Sequence, residues 1–188
     1  HQPQWMDGAA FTDEDTPDGG GYSSVVPRPG GGYYLYYTAA LGYGKPDDSV
    51  AVCVAESTDG LDWQKVLLDP PRHPGFPQVV YPGDPVPNGC AGDFDPVDND
   101  PNRRYKMTEA RRQAPDQGRL LTSPDGLRWK RHAEPIVRFQ PDTQTVTFWD
   151  ERRGKYRVYT RGKDPKEPYE HTLRRKVVLL ETDRKGVV

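Results

Sequence analysis

Residues 92–129 read GDFDPVDNDPNRRYKMTEARRQAPDQGRLLTSPDGLRW, and their punctuation outlines a four-stranded antiparallel unit. A short apolar strand ends at Asp95-Pro96, and a polar turn follows through Asn99, Asp100, Pro101 and Asn102. The pattern predicts a second strand over 104–110 and a third over 119–123. The tight turn Ser123-Pro124-Asp125-Gly126 then delivers Trp129 into a fourth.

The same order of signals stands before and after this stretch. Ser57-Thr58-Asp59-Gly60-Leu61-Asp62-Trp63 matches Ser123-Pro124-Asp125-Gly126-Leu127-Arg128-Trp129, a shared Ser-x-Asp-Gly-Leu-x-Trp. The hairpin stretch Gly32-Tyr33-Tyr34-Leu35-Tyr36-Tyr37-Thr38 aligns with Gly154-Lys155-Tyr156-Arg157-Val158-Tyr159-Thr160, and Arg104-Tyr105-Lys106-Met107-Thr108 fills that place in the middle. Three imperfect, turn-rich repeats of about 55–66 residues point to β-propeller blades, typically about 40–50 residues long. The expected fold is all-β, a propeller of four-stranded antiparallel blades with about three blades present. Known propellers close with about four to eight blades, so three form an incomplete ring. Either the chain belongs to a longer polypeptide, the preferred reading, or partner chains complete the circle. The expected organisation is one partial propeller domain over 1–188, with repeats near 21–87, 88–141 and 142–188.

Composition agrees with this class. Nineteen glycines and twenty prolines demand many turns, while eleven tyrosines and four tryptophans supply packing mass. A net charge of -2 with mixed signs leaves no electrostatic footprint for nucleic acid. No segment is apolar enough to cross a membrane as a helix, and no signal peptide is visible. Two cysteines are too few for a disulfide framework or a zinc site, and Cys53 in the apolar run 50–55 reads as a buried, inert thiol.

Taken in order, residues 1–20 carry no periodicity. Strands are expected over 22–27, 33–37, 50–57 and 62–66, with the proline-dense 68–87 running over the surface as an extended connection. The fourth strand of the middle repeat should end near 132. The last repeat should contribute strands over 143–149, 155–160 and 175–181. Missing neighbours should leave one apolar flank bare on each outer blade.

The segments Gly21-Tyr22-Ser23-Ser24-Val25-Val26, Arg104-Tyr105-Lys106-Met107, Asp142-Thr143-Gln144-Thr145-Val146-Thr147-Phe148-Trp149-Asp150 and the two corners resemble a bacterial group of five-bladed β-propellers. These proteins are similar to glycoside hydrolase families 32 and 43. The resemblance covers roughly residues 21–183. It implies a carbohydrate partner bound in the funnel at one end of the central channel, and an extracellular or periplasmic setting. It also implies acids near the starts of the innermost strands; it implies no cofactor and leaves the oligomeric state open.

Glycoside hydrolysis needs two carboxyl groups across the scissile bond. The three strand starts are Gly20-Gly21-Tyr22, Pro87-Asn88-Gly89 and Asp142-Thr143-Gln144, and only Asp142 is acidic there. Asp142 is therefore the leading catalytic candidate, the competing view being a loop aspartate after Pro141. Asp93, in mid-strand, is the second, or else a hydrogen-bonded structural acid. Tyr22, Gln144 and Arg111 are candidates for holding sugar hydroxyls. Asp95 reads as a turn cap, Glu109 beside Arg111 as an exposed strand residue, and Asp7 after Trp5-Met6 as a chance match to the family 32 nucleophile motif. Asp93, Asp95, Asp98 and Asp100 are spaced like calcium ligands, but an EF-hand needs Gly at loop position six and Glu at twelve. Those places hold Asp98 and Arg104, and the four histidines show no ligand spacing, so no metal is expected. The rival to a glycosidase is a non-catalytic propeller that serves as a carbohydrate- or protein-binding platform. A third alternative is a fragment without autonomous function.

Overall fold

The computed structural model describes residues 22–41, 49–82, 87–111, 118–137, 144–162 and 176–182. The chain is an all-β, incomplete propeller: among the described residues three antiparallel sheets follow one another in sequence order. The first sheet holds β1 (Ser23–Pro27), β2 (Tyr33–Leu41), β3 (Ser49–Ser57) and β4 (Gln64–Lys65), with β5 (Val79–Tyr81) paired to β3. The second runs β6 (Pro87–Phe94), β7 (Tyr105–Arg111), β8 (Gly118–Ser123) and β9 (Lys130–Val137). The third has β10 (Val146–Asp150), β11 (Lys155–Gly162) and β12 (Lys176–Thr182). Strands β1, β6 and β10 are innermost, with β6 between the other two.

The two Ser-x-Asp-Gly corners have the same hydrogen bonds. Gly60 N–H donates to Ser57 Oγ at 2.8 Å, while Leu61 and Asp62 N–H donate to Asp59 Oδ1 at 2.8 and 3.0 Å. One repeat later, Gly126 N–H donates to Ser123 Oγ at 2.9 Å, and Leu127 and Arg128 N–H reach Asp125 Oδ1 at 2.9 and 2.8 Å. Both glycines need positive φ, +80° and +77°, which explains the residue type. The backbone N–H groups of Leu61 and Asp62 hold the Asp59 carboxyl below the ordinary range. At Asp125 burial opposes the same effect, and the Arg128 and Leu127 N–H groups outweigh it. Trp63 and Trp129 occupy matching places, each packed on the rear face of its own sheet.

Between the first and second sheets the packing is apolar. Val26, Tyr36, Val52 and Val54 meet Cys90, Met107, Leu121 and Trp129. Each such side chain, once buried, contributes about 1.5–3 kcal/mol. Tyr36 donates its hydroxyl to the Gly126 carbonyl at 2.9 Å, and Trp129 Nε1 donates to that same oxygen at 2.9 Å. Gly92 lets β6 approach, since a Cβ there would lie 2.9 Å from the Tyr36 ring and 3.0 Å from Val26 Cγ2. Cys53 and Cys90 are buried, which pushes both thiols up to about 12.

The second and third sheets meet through polar groups instead. Thr108 and Thr147 hydroxyls lie 2.6 Å apart, and Tyr156 donates its hydroxyl to Asp95. Lys106, itself buried, lies 5.2 Å from the Tyr156 ring centre and donates to Asp98 at 2.7 Å.

Four expectations are corrected. The 68–87 stretch is no plain surface connection, because it contains β5, with Leu68, Gln78, Val79 and Val80 buried. Strand β9 runs on to Val137 rather than ending near 132. In the third sheet Tyr156 pairs with Thr182 as Tyr33 pairs with Ser57 and Tyr105 with Ser123. Tyr156, not Lys155, is therefore the counterpart of Tyr33. Finally, the two outer flanks are unequal among the described residues: Val146, Val177 and Leu179 are exposed on the third sheet, whereas behind the first Leu35, Tyr37 and Ala39 are buried and Val25 and Tyr33 are exposed.

The two corner glycines give a paired test. Gly60→Ala meets only Tyr33 ring carbons, at 3.7 Å, and should cost about 1–2 kcal/mol through backbone strain. Gly126→Ala adds a Cβ 2.5 Å from Tyr36 Oη and should cost about 1–3 kcal/mol more. Urea denaturation midpoints of the two variants measure the difference, and equal losses would contradict the keystone role of Gly126.

Candidate functional site

The starts of the innermost strands lie together, and one side chain holds them there. Gln144, just before β10, donates from Nε2 to the Ser23 carbonyl at 3.1 Å and to the Cys90 carbonyl at 3.0 Å. It therefore ties the beginnings of all three blades. The Tyr22 carbonyl, at the start of β1, accepts from Thr38 N–H at 3.0 Å, and Cys90 Sγ lies 3.7 Å from it. Tyr22 is 39% exposed, which leaves an aromatic surface at the strand-start end of the sheets. Arg111 closes β7 and pairs through its backbone with Pro87 at the start of β6, so it belongs to the same end; its side chain lies outside the described residues. So does Asp142.

Asp93 sits deeper along β6. Its Oδ2 accepts the Trp149 N–H at 3.3 Å, so it links β6 to β10 across the polar seam. Burial raises its carboxyl above the ordinary range, against the Phe94 and Trp149 N–H groups and the Lys106 charge. A half-buried carboxyl of this kind holds its proton to higher pH, the property a general acid requires.

Asp95 is a turn cap, accepting Val97 N–H at 3.1 Å, and it is more than that. It is 1% exposed and also receives the Tyr156 hydroxyl, so it fastens the third sheet to the second-sheet hairpin. Asp98 is occupied by Lys106: burial opposes ionisation, but the Lys106 hydrogen bond and charge together with the Asp100 N–H hold that carboxyl low. Glu109 is corrected outright: it is 2% exposed, with Arg131 Nε donating at 2.8 Å and the Tyr81 hydroxyl at 3.3 Å. Sequence reasoning missed this cluster. The available signal was that Glu109 shares a strand face with the buried Tyr105 and Met107.

No family model matches the chain, and no curated protein matches it. Solved structures do. An α-L-arabinanase of Penicillium chrysogenum complexed with arabinobiose aligns with a TM-score of 0.54 at 13% identity, over 89% of this chain and 42% of the other. A structure from the GH130 family of mannoside phosphorylases, which contains glycoside hydrolases targeting beta-1,2 mannosidic linkages in Candida mannan, aligns at 0.53 and 13% identity. That match covers 89% of this chain and 50% of the other. Both are five-bladed β-propellers, and the likeness at this identity establishes the fold. This chain spans about half the length of the structures it matches.

Asp93 gives a pH test. Its folded pKa lies above its unfolded one, so the stability it contributes is full below the unfolded value and is lost as pH rises through the folded value. Asp93→Asn keeps an acceptor for Trp149 N–H without titrating. Relative to the natural protein, the variant should therefore gain stability as pH climbs out of the ordinary carboxylate range. Urea melts between about pH 3 and 7 follow the difference, which a half-buried, raised carboxyl cannot leave constant.

Proposed function

We propose that this chain is part of a carbohydrate-acting propeller of glycoside hydrolase type, which cleaves a glycosidic bond with paired carboxylates. The observation that supports the reading is Asp93, half-buried with its carboxyl raised above the ordinary range, on an innermost strand whose start also gathers Tyr22 and Gln144. In this scheme Asp93 is the acid that protonates the leaving oxygen, and Asp142 is the ionised partner that acts as nucleophile or base. A separation near 5 Å would make the enzyme retaining and one of about 6.5–9.5 Å inverting. The exposed Tyr22 ring offers a face to the sugar, with Arg111 and Gln144 as polar partners for its hydroxyls.

One observation favours the non-catalytic alternative. The Gln144 amide nitrogen and one Asp93 oxygen already bond to neighbouring strands, as expected of struts in a binding platform.

Asp142→Asn and Asp95→Asn separate the roles, each made in the protein that carries this chain and assayed on arabinobiose and a β-1,2-mannoside. Asp142→Asn should abolish most sugar release while leaving the melt nearly unchanged. Asp95→Asn should cost about 1–3 kcal/mol of stability and little in rate, since it weakens buried hydrogen bonds to a charged acceptor. Full activity in Asp142→Asn sinks the catalytic assignment. A natural protein that binds these sugars by calorimetry without cleaving them establishes the platform instead.

A further inference from the structure

The bare face of the third sheet repeats, position by position, the face on which the first sheet receives the second. In the first sheet Tyr36 is flanked by Ser24 on β1 and Val54 on β3, and Val52 stands opposite Thr38. In the third sheet Tyr159 is flanked by Val146 on β10 and Leu179 on β12, and Val177 stands opposite Arg161. The carboxylates correspond as well: Glu56, opposite Tyr34, pairs with Arg28 at 2.6 Å, and Glu181, opposite Arg157, lies 3.6 Å from that guanidinium.

Occupancy is what differs. Tyr36, Val52 and Val54 are 0–1% exposed beneath the second sheet, whereas Leu179 is 38% and Val177 77% exposed. The opposite face of the third sheet is already filled, with Tyr156, Val158 and Thr160 buried toward the second. Phe148 and Tyr159 stack with their rings 9° apart, and the Arg157 guanidinium lies 5.6 Å from the Tyr159 ring centre. The tyrosine is thus held in place on an open surface.

We propose that this face receives a fourth blade of the same propeller, and that the Tyr159 hydroxyl donates to the carbonyl of that blade's Asp-Gly corner. The donor geometry is the one Tyr36 makes with Gly126. The incoming innermost strand must carry a glycine or another very small residue against Tyr159, as Gly92 stands against Tyr36. Phe148 fills the place of Val26, which tightens that requirement. A second copy of this chain suits the face less well, because the rear of its first sheet already packs Trp63 and Phe76 against Leu35, Tyr37 and Cys53, with Val25 and Tyr33 left exposed there. The solved propellers that match the chain have room for such a blade, since they are covered over only 42% and 50% of their length.

Hydroxyl-radical footprinting of the protein expressed from its complete reading frame tests the contact, with exposed Leu61 as the internal reference. Tyr159 and Leu179 should be modified several-fold more slowly than Leu61, in a protein that light scattering shows to be monomeric. Tyr159→Phe and Tyr36→Phe should each lower the melting temperature without changing the circular dichroism spectrum. Labelling of Tyr159 and Leu179 as fast as Leu61 overturns the proposal, because the face is then bare. A dimer whose dissociation exposes these residues also overturns it, in favour of a second copy. A drop in melting temperature for Tyr36→Phe alone refutes the Tyr159 hydroxyl contact.

Discussion

One carbonyl oxygen organises the junction of the first and second sheets. The Gly126 carbonyl accepts two hydrogen bonds, one from Tyr36 of the neighbouring sheet and one from Trp129 of its own. A backbone carbonyl has two lone pairs, so both bonds can be made in full. The corner exists to present that oxygen: Ser123 and Asp125 gather the turn's N–H groups, and positive φ at Gly126 aims the carbonyl inward. Tyr36 can reach it only because Gly92 brings the innermost strands close together. The interface thus depends on two residues without side chains, placed on either side of one tyrosine.

The second and third sheets meet on different terms, and this bears on the channel. Threonine hydroxyls, Asp93 and Asp95 hold the seam, while Gln144 stitches its upper end. Polar groups on the innermost strands therefore act first as joints between blades. Asp93, half-buried where the second and third sheets meet, has its carboxyl raised above the ordinary range by that burial.

The corners were legible in the sequence because their chemistry is local: serine, aspartate and glycine within four residues determine the turn. The hairpin strands followed from tyrosine- and valine-rich runs between turn signals. Strand β5 was not legible, since Val79–Tyr81 sits in a proline-dense stretch and its partner β3 is remote in sequence. The third sheet was read one residue out because its turn, at 151–154, is shorter than the one at 28–32. A slip of one reverses every face. Glu109 was misread because a charged strand residue is usually exposed, and its partners Tyr81 and Arg131 come from distant strands. Nothing local to Gln144 reveals that its amide bridges two backbone carbonyls of neighbouring sheets.

The contrast between the two seams has a thermal and chemical consequence. Apolar burial loses strength on cooling, so the junction around Tyr36 and Val54 is the one that cold loosens. The junction around Lys106 answers to acid. Asp98 has a lowered carboxyl, so its support is present above the ordinary carboxylate range and vanishes as pH falls through the lowered value. Once Asp98 is neutral, the ammonium that faces Tyr156 stands in a buried site without its closest counter-charge. Two joints of similar outline thus part under opposite stresses, and the surroundings decide which blade boundary opens first.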